Sequence, residues 1–251
     1  MRTLKLTVRY DGTDFHGWQV QPGLRTVQGV LAEACARILR HEVKPAGAGR
    51  TDAGVHAQGQ VASLETESPH PCEKILGGLN AVLPDDVSVG TVEEVEAGFN
   101  ARFSARSKWY RYRILAVRSR DPIEHRYAWH VPSSLDVERM QFAASGLCGT
   151  HDFRSFARQS ARESAPDEPE RSTVRTLYSV DASRVGNIMT LDVRGDGFLY
   201  NMVRTIAGTL VEVGRGKRPV TFPADALAAR DRSAAGPTAP PQGLFLMEVH
   251  Y

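Results

Sequence analysis

Residues 47–60 read GAGRTDAGVHAQGQ, and no other stretch restricts the possible folds of the chain so sharply. Glycine at positions 47, 49, 54 and 59 permits positive φ and close backbone approach, so the segment reads as a sharp turn or a point where another strand passes near. Arg50 and Asp52 stand two residues apart inside it. A guanidinium that close favours the ionised carboxylate and holds its pKa below the usual range. Asp52 is therefore read as the reactive group of an enzyme. The alternative is an ordinary Asx-turn, in which the same carboxylate accepts backbone N–H bonds.

Two phosphate-binding readings of this loop fail. The dinucleotide fingerprint needs a third glycine where Asp52 stands, and a carboxylate there would repel a pyrophosphate. The P-loop needs Gly-Lys-Ser/Thr, and no such triplet follows.

The 251 residues suit one large domain or two of moderate size. Apolar runs are only a few residues long, so no membrane span is expected, and the alternating start Met1-Arg-Thr-Leu-Lys5 does not read as a signal peptide. Cys35, Cys72 and Cys148 are odd in number, far apart and never in Cys-x-x-Cys spacing. They are expected as free thiols of a cytoplasmic protein, and they argue against a structural zinc. The net charge of +2 is modest, but 26 of the 31 basic residues are arginine. Arginine suits bidentate contacts to phosphate and stacking on bases, although codon bias in a GC-rich genome gives the same excess. Distribution along the chain matters more.

Thr3–Tyr10 alternates as a half-buried strand, followed by a turn at residues 11–14 and an aromatic loop, Phe15-His-Gly-Trp-Gln19. Thr26 is a helix N-cap, and Val27, Val30, Leu31, Ala34 and Ile38 form one apolar stripe behind it. Strands are expected at 43–49 and 59–65, a helix at 72–82 after Pro71, and a strand at 86–96. Strand, helix, strand, strand, helix, strand is the split βαβ order of a ferredoxin-like unit, with both helices on one face of an antiparallel sheet. The bare face of such a sheet is what single-stranded RNA modules use.

From Phe99 to Arg113 arginines interleave with aromatic residues, and on a strand Tyr110, Tyr112 and Ile114 would face away from Arg111 and Arg113. This pattern fits RNA, with cations for phosphates and π faces for unstacked bases, and it also fits an amphipathic strand with a solvated arginine face. Further on, a strand at 107–117, a helix near 136–147, a mobile polar loop at 157–172 and strands at 174–184 and 187–195 are expected, with Gly195-Asp-Gly197 closing that last pair. In the helical element expected within Phe198–Gly214, the residues Met202, Val203, Ile206, Leu210 and Val213 share a face, Arg204 lies off it and Gly208 leaves bare backbone one turn later. A stiff loop, 236–243, leads to a last strand at 243–250.

These stretches together resemble the bacterial tRNA pseudouridine synthase A family over nearly the whole chain. The resemblance runs through Tyr10-Asp-Gly12, Gly17-Trp-Gln19, Thr26-Val-Gln-Gly29 and Gly49-Arg-Thr-Asp-Ala-Gly-Val-His56. It continues with Phe99-Asn-Ala-Arg102, Trp109-Tyr-Arg-Tyr112, Gly149 to Phe156, Met202-Val-Arg204 and Pro237-Thr-Ala-Pro240. The string around Asp52 is highly specific. What the resemblance implies is an α+β fold of two ferredoxin-like (RRM-like) βαββαβ halves, 1–105 and 106–251, joined into one extended antiparallel sheet. Helices would cover one face and an RNA-binding cleft the other. The implied activity is isomerisation of uridine to pseudouridine in the tRNA anticodon stem-loop, at tRNA positions 38, 39 and 40, by a cytoplasmic homodimer without cofactor or metal. Asp52 aligns with the catalytic aspartate, Tyr110 with the active-site tyrosine, Arg204 with the arginine paired to that aspartate, and Arg50 with an arginine that handles the flipped base. Two departures are a longer 157–172 segment and Asn201 in place of a histidine.

A non-catalytic RNA-binding module of the same fold is the competing class, but it leaves Arg50, Asp52 and Arg204 idle and would carry an RNP1-type string that is absent. A nucleosidase with an aspartate nucleophile is a third, and it predicts free uracil as product. His16, His56 and His151 show no convergent ligand spacing and read as structural.

Overall fold

The computed structural model describes residues 1–158 and 172–251, so most of the polar segment expected as a loop at 157–172 lies outside the described residues. In chain order the elements are β1 (Arg2–Tyr10), α1 (Val27–Leu39), β2 (Ala46–Gly47), β3 (His56–Thr66), α2 (Cys72–Val82) and β4 (Val87–Val95). There follow β5 (Ser107–Leu115), β6 (Trp129–His130), α3 (Val137–Ser145), β7 (Gly149–Asp152), β8 (Val174–Val185), β9 (Ile188–Gly195), α4 (Met202–Gly214), α5 (Phe222–Ala229) and β10 (Leu244–His250). The fold is α+β, with mostly antiparallel strand pairing. Among the described residues no helix is long and apolar enough to cross a membrane.

The chain divides into two compact units, Met1–Lys108 with Phe245–Tyr251, and Trp109–Leu244. In unit 1, β1 lies between β4 and β3, antiparallel to both, and β2 pairs antiparallel with β3. This is the split βαβ arrangement that the element order predicts. The last strand, β10, runs parallel to β3, with Phe245 opposite His56 and Leu246 opposite Ala57. Gly59 makes that approach possible, because a Cβ there would sit 2.3 Å from the Met247 carbonyl oxygen.

Strand β1 buries Leu4, Leu6, Val8 and Tyr10 on alternate positions, as its letters require. The Thr26 hydroxyl accepts from Gly29 N–H at the start of α1, and the helix buries Val27, Gln28, Leu31, Ala34, Cys35 and Leu39. The expected stripe is therefore rotated. Val30 and Ile38 are half-buried, and Ile38 lies against Gly78 of α2, which leaves room for a branched side chain between the helices. The strand expected at 43–49 shrinks to Ala46–Gly47. Pro45 has no N–H to give a ladder, which explains the late start. Strand β3 begins at His56, so the end of the glycine-rich motif is strand.

In unit 2 the sheet order is β5-β9-β8-β7, with β6 pairing parallel to β5. Val185 pairs with Ile188 across a two-residue turn with Gly186 at φ +58°, so that turn, and not Gly195–Gly197, closes the β8–β9 hairpin. Asp196 instead ties the far end of β9 back to β8, since its N–H donates to Thr176 O and its Oδ1 accepts from Thr176 N–H. Met140, Leu147, Phe153, Phe156, Leu191, Ile206 and Leu210 are fully or almost fully buried and form the core. Each such side chain contributes about 1.5–3 kcal/mol by leaving water. Helix α5 has no distinct apolar stripe and was not expected; Pro223 and Asp225 favour its first turn. The three cysteines form no disulfide, with Cys35 buried and the other two half-buried.

Candidate active site

Asp52 sits on the loop between β2 and β3, and almost every neighbour of that carboxylate along the chain is tied down. Trp18 N–H donates to Thr51 O at 3.0 Å, Gly54 N–H to Phe15 O at 3.3 Å and Val55 N–H to Asp52 O at 3.2 Å. Gly12 N–H donates to His56 Nδ1 at 3.0 Å, and the imidazole, 2% exposed, stacks on Phe245 with centroids 4.6 Å apart. The segment after β1 thus lies directly against the loop. Contact this close excludes side chains: a Cβ on Gly12 would stand 1.9 Å from Val55 O, and one on Gly17, at φ +88°, 2.6 Å from Thr51 O.

Side chains complete the clamp from below. The Tyr10 hydroxyl bonds Thr51 Oγ1 at 2.7 Å, and Gln60 Nε2 donates to Gly49 O at 2.9 Å and to the Tyr10 oxygen at 3.5 Å. Tyr10, Thr51 and Gln60 are all buried, and burial pushes the Tyr10 phenol up to about 12. Gln60 Oε1 is buried without a partner, so its two donations alone orient the amide. Each neutral bond is worth only about 0.5–1.5 kcal/mol net, but together they leave the loop few other conformations. Asp52 is half-buried between buried Thr51 and exposed Ala53. A carboxylate carried on a backbone held this way can serve as nucleophile or general base.

Arg50 is exposed, and its Nε donates to Gln19 Oε1 at 3.2 Å. Gln19 Nε2 in turn donates to Gln28 Oε1, which also accepts from Val20 N–H, while Gln28 Nε2 donates to Pro45 O. The arginine is thereby carried by a relay of two amides, the second of them 5% exposed on α1. Gln28 carries no chemical signal in the sequence beyond a polar letter two positions past the helix cap.

In unit 2, Tyr110, Tyr112 and Ile114 of β5 are buried and Arg111 and Arg113 are half-buried, the alternation that the sequence predicts. The arginine face is satisfied within the protein. Arg111 makes a bidentate pair with Asp192 at 2.9 and 3.0 Å, Trp109 Nε1 donates to the same carboxylate, and Arg113 pairs with Glu124 at 2.8 Å. Tyr110 is 7% exposed and meets Phe198 edge-on, with centroids 4.9 Å apart. The Tyr112 hydroxyl donates to Pro240 O at 2.7 Å; burial drives its pKa upward and the Arg204 charge opposes this.

Arg204 is half-buried on α4, a helix that hides 11 of its 13 residues. Its Nε donates to Ala239 O and its Nη1 to Asn201 Oδ1, each at 2.8 Å, and its own carbonyl accepts from Ala239 N–H at 3.0 Å. Asn201 adopts φ 62°, a left-handed conformation that asparagine tolerates better than most residues. The stiff 236–243 loop is seated on α4: a Cβ at Gly208 would lie 1.8 Å from Pro237 O. Asn201, Phe198 and Ala239 are the supports that sequence reasoning did not assign. Among the described residues no cluster of three His, Cys, Asp or Glu side chains could hold a metal ion.

The tRNA pseudouridine synthase family model matches residues 6–104 and 143–251. The chain is 48% identical over 251 residues to a tRNA pseudouridine synthase A of Brevibacillus brevis, covering all of both chains. It is 45% identical to one of Geotalea uraniireducens and 44% to one of a Thermoanaerobacter species, again over 100% of each. A solved Cbf5–Nop10–Gar1 complex is a distant likeness, with a TM-score of 0.34 and 12% identity over 82% of this chain and 54% of that one, and bears no argument here. Matches of that extent among the sequence relatives leave no large segment outside the comparison, and the chain belongs to the tRNA pseudouridine synthase A family.

Proposed function

We propose that this isomerase converts uridines 38, 39 and 40 of the tRNA anticodon stem-loop to pseudouridine, with Asp52 as the catalytic carboxylate. Tyr110 stacks on the extruded uracil, Arg50 handles the flipped base, and Arg204 has the role that the family resemblance gives it, keeping the catalytic carboxylate charged. The protein works as a cytoplasmic homodimer and needs no cofactor, since the reaction has no net redox change. The C1′–N1 bond breaks, the uracil turns, C5 bonds to C1′ and the C5 hydrogen passes to water. Asp52 can drive this by attacking C1′, by taking the 2′ proton to give a glycal, or by adding to C6 of the base. All three routes need the uridine out of its stack, at a cost of about a few kcal/mol.

The observation that carries the assignment is the clamp around the 49–55 loop, which fixes one half-buried carboxylate by backbone bonds on both sides. The test is tRNA tritiated at uracil C5. Wild-type protein is expected to release tritium to water, and Asp52→Ala to fold, bind tRNA and release none. Turnover by Asp52→Ala removes that residue from the mechanism. Labelled free uracil in place of tritiated water makes the protein a hydrolase.

A further inference from the structure

The loop after β4 holds an aromatic side chain where water has free access to it. Phe103 is 80% exposed, and the guanidinium of Arg102 lies 5.5 Å from its ring centroid. Leaving a phenylalanine in water forgoes about 1.5–3 kcal/mol of burial, so an exposed one on a mobile turn would ordinarily fold inward. This turn cannot do so. Asn100 Oδ1 accepts from the N–H groups of Arg102 and Phe103, and Ser104 N–H donates to Asn100 O. Ala101 is anchored at both polar atoms: its N–H donates to Ser63 Oγ at 3.0 Å and its carbonyl accepts from the Tyr251 hydroxyl at 2.8 Å. Phe99 packs against the Tyr251 ring, and Arg106 N–H donates to His250 O. The tip is thus held rigid on both flanks, with Phe103 pointing away from the core.

Its surroundings are cationic. Arg102 and Arg106 are exposed, and among the described residues no ion pair engages either. Lys5, which stands opposite Ser63 in the sheet, is already matched by Glu93 at 3.0 Å. A fixed aromatic face beside exposed guanidinium groups complements a base stacked on the ring with its phosphate on the cation, and it does not complement an apolar protein surface.

We propose that Phe103 and Arg102 form a preset contact for one unpaired nucleotide of the RNA substrate, the base on the Phe103 ring and the phosphate at Arg102. This rests on the tRNA reading above and adds to it a surface outside the Asp52 loop. The stacking costs little ordering entropy because the turn is fixed before RNA arrives.

The test is equilibrium binding of an anticodon stem-loop RNA to the full chain carrying Asp52→Asn, so that no product forms. Phe103→Ala is expected to weaken binding about tenfold, Phe103→Trp to restore it to within about threefold, and Phe103→Leu to behave like alanine, in line with stacking on a π face. Arg102→Gln is expected to lower the slope of log K against log salt by about one. Both positions are exposed, and unchanged melting temperatures establish that folding is intact. Equal affinity for Phe103→Ala and parent, or full affinity for Phe103→Leu, overturns the proposal. So does loss of binding that tracks conversion of a dimer to monomers in size-exclusion chromatography, which assigns Phe103 to self-association. Wild-type protein that releases tritium while Phe103→Ala binds normally sinks this inference alone; wild-type protein that neither binds nor turns over RNA sinks both readings.

Discussion

Asp52 and Arg204 are presented by supports of opposite kinds. In unit 1 the carboxylate rides on a loop whose own backbone is gripped: Thr51 O, Gly54 N–H and Gly49 O are all bonded by other segments, and Gly12 and Gly17 let the segment after β1 lie against it. In unit 2 the guanidinium is gripped at the side chain, by Ala239 O and Asn201 Oδ1, on a helix that would be rigid without them. The first arrangement fixes where a short side chain begins, which suffices for aspartate with its two rotatable bonds. The second fixes where a long side chain ends, which arginine needs because its stem has so many rotamers.

That contrast is broken most severely at the glycines. Gly12→Ala forces a Cβ to within 1.9 Å of Val55 O and has no compensating gain. We expect a loss of about 3 kcal/mol in urea unfolding and at least about a hundredfold loss of tritium release, since small displacements of a reacting group cost that much. Gly208→Ala meets Pro237 O at 1.8 Å, but alanine returns about 1 kcal/mol of helix propensity. Its expected net cost is about 1–2 kcal/mol, with a smaller fall in turnover. A larger effect at Gly208 than at Gly12 would reverse the comparison.

Arg204→Met keeps the stem of the side chain and removes the donors. We expect kcat to fall by about a hundredfold while tRNA affinity stays within about threefold, because a preset charge acts on the reacting groups more than on the bound RNA. The opposite split makes Arg204 a phosphate anchor. Tyr10→Phe is the mildest test, removing the hydroxyl's bond to Thr51 and the long one it accepts from Gln60, for about 1–2 kcal/mol in all, and slowing turnover a few-fold with KM unchanged.

The same tyrosine gives a pH signature. Its phenol is raised from 10.0 to about 12 in the folded protein, so the unfolded chain loses that proton first as pH rises. The stabilisation is complete below pH 10 and is lost as pH climbs from about 10 to about 12. Melting temperatures measured across pH 9–11 should therefore fall less steeply in Tyr10→Phe than in wild type, with the remaining slope from buried Tyr112 and Cys35 and half-buried Tyr251, whose pKa values are also raised.

Local signals carried much of the fold. Thr26 and Pro71 mark helix starts to the residue, and alternation along β1 and β5 gives the buried faces. Signals failed where a distant partner decided the outcome. Ile38 looks like a core position on its own helix, but its environment is set by Gly78 of another. Strand β2 looks longer than two residues until its pairing with β3 is counted. Asp52 stands out as a candidate because four glycines, an arginine and an aspartate lie within one short stretch. Its supports do not, since Tyr10 reaches the loop from 41 residues away, and both Tyr10 and Gln60 look like ordinary strand residues in the letters.

The pairing of β10 with the start of β3 has a consequence for how such a molecule comes into being. His56, at the downstream edge of the Asp52 loop, is stacked on Phe245. A folding chain can form β1, α1 and the first hairpin from nearby segments, yet the footing of the Asp52 loop waits until a segment far along the chain has docked beside β3. Loop and strand thereby share one fate: whatever loosens β10 also removes the stacking partner of His56.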